Sequence, residues 1–189
     1  MLVTLYTVRV VLNALGEVDY GIYNVVCGFV AMFGVLNTTL TSGTSRFYNF
    51  EMGKNGQGAA TRVYNTSLVI QLCAAVVVVL LVEIIGMWYM GHKMVIPDDR
   101  MAVAKIIFQF SIVSMFLLIV QTPYSAAVIA YEKMDFLAVV SILDACLKLG
   151  IAFLLQKTSS DKLLLYGSLM LGISVFNFLL YFIFCKIKF

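Results

Sequence analysis

Residues 65–90, NTSLVIQLCAAVVVVLLVEIIGMWYM, carry a single charged side chain, Glu83, in an otherwise apolar or weakly polar run. A helix needs about 20 predominantly apolar residues to cross the hydrocarbon core of a bilayer, and this stretch is long enough to do so. It is apolar throughout, not alternating, which excludes a strand of an outer-membrane barrel. Reading outward in both directions finds residues 20–47, 104–131, 136–156 and 163–185, each of spanning length between clusters of charge and turn residues. Residues 1–14, MLVTLYTVRVVLNA, form a sixth and shorter candidate. It reaches only ~21 Å at 1.5 Å per residue, against a core of ~30 Å. A signal peptide does not fit there, because no basic region precedes the apolar run and Arg9 lies inside it. Met1 therefore reads as an internal methionine of a longer chain. The expected fold is all-α, a polytopic integral membrane bundle of about six helices forming one domain over residues 1–189.

Composition supports that expectation. Of 189 residues, 62% are hydrophobic and 12% charged, and the mean hydropathy is +0.98. Soluble domains are roughly 45–50% apolar and 25% charged. Ten acids and thirteen bases cannot cover a core of this size without leaving large apolar patches in water. Disorder is excluded by the same apolar content. The net charge of +3 is scattered along the chain, which gives no basic patch and no argument for nucleic-acid binding. Cys27, Cys73, Cys146 and Cys185 stand alone in apolar stretches, without the spacing of a zinc site or a disulfide framework. They read as small packing residues, and no cofactor is implied.

The connections are short: LGEVD, the Gly-rich FEMGKNGQGAATR, GHKMVIPDDR, EKMD and KTSSDK. Gly53, Gly56 and Gly58 are expected to break the helical pattern in the second, and Pro97 to start a turn in the third. Lys and Arg in short loops favour the cytoplasmic side. Arg46, Lys54, Arg62, Lys133, Lys186 and Lys188 fall on one side, against Lys93, Arg100, Lys157 and Lys162 on the other, with Lys105 at a segment start. The excess favours a cytoplasmic beginning and a cytoplasmic C-terminus. Trp88 and Tyr89 close the third segment where an aromatic belt belongs.

Polar residues inside the apolar segments are costly, so they carry the functional information. Asp144 and Lys148, four apart, share one helix face near the middle of the fifth segment with Ser141, Ala145 and Ala152. Insertion scales put such charges at roughly +2.5 to +3.5 kcal/mol each at mid-membrane. Their face should look toward protein or water, either lining a solute path or neutralising itself as an internal ion pair. Arg9 shares a face with Tyr6 and Asn13, turned to a cavity or snorkelling to the interface. Glu83 reads as an interfacial or structural carboxylate. Uncharged polar stripes follow helical spacing on three further segments: Asn24, Gly28, Ala31, Thr38, Ser42 and Ser45 ending at Arg46; Ser111, Ser114, Gln121 and Ser125 beside Pro123; and Ser174, Asn177 and Tyr181. Each stripe alone reads first as an ordinary helix-packing surface; several together argue for a hydrated interior. Pro123 is expected to kink its helix. Enzyme signatures such as HExxH, a phosphate-binding Gly-rich loop or GxSxG do not occur. His92, the only histidine, falls in a loop and reads as solvated.

The stretch RVVLNALGEVDYGIYNVVCGFVAMFGVLNTTLTSGTSRFYNFEMGK, Arg9 to Lys54, resembles the N-terminal region of bacterial polysaccharide biosynthesis membrane proteins. These are the lipid-linked oligosaccharide, or O-antigen, flippases of the multidrug/oligosaccharidyl-lipid/polysaccharide exporter superfamily. The elements that carry the resemblance are the Arg of the first segment, the LG that follows, DYGIYN, and Arg46-Phe47 after the second segment. VYNTSL at 63–68, PDDRM at 97–101, QTPYSAAVIAYEKM at 121–134 and SILDACLKL around Asp144 and Lys148 are similar too.

The resemblance implies one N-terminal lobe of a two-lobed exporter with about twelve to fourteen helices, in which one lobe rocks against the other. It implies flipping of an undecaprenyl-diphosphate-linked oligosaccharide across the bacterial inner membrane for polysaccharide and lipopolysaccharide export. The implied partners are that lipid-linked substrate, membrane lipids, a second lobe and the polymerase and glycosyltransferase machinery. Arg9 and Arg46, with Asn13, become candidates for binding the diphosphate, since Arg matches phosphate oxygens bidentately. Asp144 and Lys148 become candidates for ion coupling or helix register, and Asp19, Tyr20, Gln121 and Pro123 for gating or polar lining. Two other readings stay open: a cation-coupled small-molecule or drug exporter of the same superfamily, served by Asp144, and a non-transporting membrane subunit or gene remnant.

Overall fold

The computed structural model describes residues 2–32, 34–55, 57–92, 98–157 and 161–188. Seven helices account for nearly all of them: α1 (Leu2–Leu15), α2 (Glu17–Met32), α3 (Gly34–Asn55), α4 (Gln57–His92), α5 (Asp98–Ala130), α6 (Met134–Lys157) and α7 (Lys162–Lys188). Five spans are long and apolar enough to cross a membrane: Glu17–Glu51, Tyr64–His92, Arg100–Ala130, Met134–Leu155 and Lys162–Ile187. The first of these joins α2 and α3, while α1 contributes only a shorter apolar helix. The chain is a multi-pass, all-helical protein of membrane-embedded composition.

Several boundaries differ from the sequence reading: α4 runs to His92 and α5 already begins at Asp98, ahead of the expected 104, and two further connections change more. The connection expected across LGEVD shrinks to Gly16, with α2 already begun at Glu17. Gly16 sits at φ 85°, a left-handed conformation that glycine adopts without a Cβ penalty. Its N–H donates to Leu12 O at 2.9 Å while its own carbonyl accepts from Tyr20 N at 3.1 Å, so one residue ends α1 and starts α2. The Gly-rich loop expected over 50–62 is also mostly helix, α3 running to Asn55 and α4 starting at Gln57. Gly53 and Gly58 are therefore helical, and Gly56 lies outside the described residues, as does Pro97. Tertiary packing supplies the reason: Tyr48, 3% exposed, packs on Ala127 and Ala130 of α5 and on Tyr64 and Tyr131, holding the end of α3 against the modest helical cost of glycine.

α5 is the hub, packing most extensively on α7, then on α3 and α4, and also on α2. α6 leaves the 131–133 turn and diverges from α5, contacting α1 and α7 instead. The buried core follows α5, with Phe108, Ile107 and Ile119 among its largest enclosed side chains, and Leu155 and Leu163 joining from α6 and α7. Close approach is built into the α4–α5 contact, where a Cβ at Gly86 would overlap the ring of Phe108. The outside is the reverse of a soluble protein: Val76, Val77, Leu80, Leu81, Ile84 and Ile85 of α4 are all exposed, an apolar belt that lipid solvates and water would not.

Candidate functional site: a polar cleft between α5, α6 and α7

Where α6 departs from α5, a cleft of about 560 Å³ opens, walled by α2, α5, α6 and α7. The sequence places small polar groups on three of those walls at helical spacing. Ser111, Ser114 and Gln121 face it from α5, Ser141, Asp144 and Lys148 from α6, and Ser174, Asn177 and Tyr181 from α7. Tyr23 and Cys27 line it from α2.

Asp144 is the centre of the arrangement. Its Oδ2 lies 2.7 Å from Lys148 Nζ, one turn on, and its Oδ1 accepts from Asn177 Nδ2 at 2.9 Å across the α6–α7 interface. The two charges cancel, yet each keeps contact with the open space, the side chains being 25% and 44% exposed. Such a pair is costly to break on one side only, because the remaining charge loses its partner. Asn177 Oδ1 is buried and accepts no hydrogen bond among the described residues.

Three of the four serines donate their hydroxyl hydrogens to the preceding turn. Ser111 donates to Ile107 O at 2.9 Å, Ser141 to Leu137 O at 2.8 Å and Ser174 to Met170 O at 3.2 Å. These three present lone pairs to the cleft, not donors. Cys27 Sγ lies 3.2 Å from Ser111 Oγ, tying α2 to α5 at the wall. A smaller cavity of about 140 Å³ is lined by Thr7, Val8 and Val11 of α1, Tyr20, Ala145, Lys148, Tyr166 and Met170. Lys148 thus borders both spaces.

Other residues singled out in the sequence lie elsewhere. Arg9 and Asn13 on α1 and Arg46 on α3 are exposed and line neither cavity. Asp19 is paired with Arg100 at 3.5 Å. Pro123 is buried inside α5, which continues through it. Next to it, Thr122 donates its hydroxyl to Asn37 Oδ1 of α3, and Ser125 donates to Thr122 O at 3.0 Å, so the region with a missing proline N–H is rich in side-chain bonding. Glu83 accepts from Gln109 at 2.7 Å between α4 and α5. His92 belongs to the end of α4, exposed, stacked on Trp88, and is not in a loop.

Sequence reasoning missed two elements. Asn177 was visible only as one member of a stripe, and its partnership with Asp144 depends on how α6 and α7 meet. Arg100 reads from the sequence as a loop charge, although two acids, Asp19 and Asp161, converge on it. No protein-family model, curated protein or solved structure matches this chain.

Proposed function

We propose that this chain is one lobe of an exporter that moves an undecaprenyl-diphosphate-linked oligosaccharide across the bacterial cytoplasmic membrane by alternating access. The observation that carries the reading is the cleft: a charged pair, an amide and a row of hydroxyls gathered inside a helix bundle whose outside is apolar. Intramembrane ionisable groups mark solute paths by default. The stretch from Arg9 to Lys54, with DYGIYN at its centre, supports the choice of solute.

In this reading the exposed Arg9 and Arg46 turn toward a second lobe and hold the diphosphate, while Asp144 and Lys148 set the charge state of the cleft during the transport cycle. Arg9→Ala in the protein as expressed by its host abolishes surface polysaccharide, and Arg9→Lys, which keeps the charge without the bidentate fork, only weakens it. Normal polysaccharide in the Ala variant at unchanged protein level removes Arg9 from the site. The Asp144 carboxylate favours one alternative, cation-coupled export of a small molecule. Glycosyltransferase genes beside this one support the flippase; drug sensitivity on deletion supports the alternative.

A further inference from the structure

A second charged cluster lies outside the cleft. Arg100, in the first turn of α5, stands between two carboxylates. Its Nη2 is 3.5 Å from Asp19 Oδ2 in the first turn of α2, and its Nη1 donates to both oxygens of Asp161, at 3.3 and 3.4 Å, on the residue before α7. α2, α5 and α7 are three of the four walls of the cleft. On each, the cluster stands one to two turns beyond the first cleft-lining residue: Asp19 before Tyr23, Arg100 before Ile107, Asp161 before Gly167. At 1.5 Å per residue that is about 6–10 Å. In the layer between, the rings of Tyr23 on α2 and Tyr166 on α7 meet with centroids 4.7 Å apart.

We propose that Arg100 is the pin of an ion-pair clasp that closes the cleft toward this membrane face, with the Tyr23–Tyr166 contact as the layer beneath it. One guanidinium serves an acid on α2 and an acid immediately before α7, so displacement of either helix parts one pair. The side chains of Asp19, Arg100 and Asp161 are 13%, 34% and 43% exposed, and ion pairs that water reaches are weak enough to part and re-form. Without Arg100 the two acids face each other and repel, which drives the three helix ends apart. This goes beyond the choice of solute and holds for any cargo the cleft admits.

Cys27 lines the cleft and serves as a natural reporter. In the full chain with Cys73, Cys146 and Cys185 replaced by Ala, a membrane-impermeant methanethiosulfonate is applied in vesicles from the side bearing Asp161. Arg100→Gln raises the rate of Cys27 modification at least tenfold, and Arg100→Lys stays within a few-fold of the parent. The charge exchange R100D/D161R, which keeps one guanidinium against two carboxylates, returns the rate toward the parent value. If Arg100→Gln does not accumulate in the membrane, the D19N/D161N double variant is read by the same criterion. An unchanged rate, an equal rise from the opposite face, or no recovery in the charge exchange overturns the clasp. Because the readout is accessibility and not transport, a failed flippase assay leaves this result standing, and the reverse.

Discussion

At the scale of single residues, the Asp144–Lys148 pair behaves as a unit. Removing one member strands the other against the cleft wall, and because both side chains are partly exposed the cost falls to about 1–2 kcal/mol, below the roughly 3–5 kcal/mol of a fully buried pair. Asp144→Asn and Lys148→Met should each lower thermal stability in detergent, and the double variant should recover most of the loss. Additive losses would show that the two charges do not depend on each other. A second site is Glu132, at φ 55°, in the position after a helix where glycine is usual. Glu132 N donates to Ile129 O and Lys133 N to Val128 O, both at 3.0 Å, closing α5 with a Schellman motif. Glu132→Gly should relieve the left-handed strain and stabilise by roughly 0.5–1 kcal/mol, measurable as a rise in Tm; a fall would contradict that account. The Asp144–Lys148 spacing was legible because i and i+4 share a helix face whatever the fold. Asn177 was not, since its bond to Asp144 joins helices 33 residues apart in sequence, and nothing local specifies that register.

Helices were legible as apolar runs, and their ends more closely in the last two segments than around the Gly-rich stretch. The sixth segment, placed at 163–185, and the fifth, at 136–156, fall within a few residues of α7 and α6, because hydropathy marks the part that leaves water. The Gly-rich residues across the α3–α4 junction read locally as a loop, since glycine propensity is local and the Tyr48 anchor on Ala127 and Ala130 is not. Packing at element scale makes its own prediction. Gly86 has no room for a side chain against Phe108, so Gly86→Ala should push α4 from α5 and destabilise by about 1–3 kcal/mol. Adding Phe108→Leu should recover part of that loss; no loss in Gly86→Ala would show that the two helices are not closely apposed there.

For the molecule as a whole, the seven helices of the described residues, with α5 as hub, leave an apolar exterior and a cleft that carries a row of polar groups. Composition announced the exterior, and the stripes on three segments announced polar faces. That the faces of α5, α6 and α7 converge while the stripe ending at Arg46 stays largely outside the cleft is set by helix rotation, which no single segment encodes. Sidedness is a separate question. A reporter fused in the 131–133 turn should read as cytoplasmic and one fused beside Asp161 as external, and the opposite pattern would invert the topology. The most direct test of the central claim is the leaflet distribution of undecaprenyl-diphosphate-linked glycan in cells lacking this gene. Accumulation on the cytoplasmic leaflet, reversed by the intact gene but not by its Arg9→Ala form, is the predicted result; an unchanged distribution with normal surface polysaccharide would contradict it.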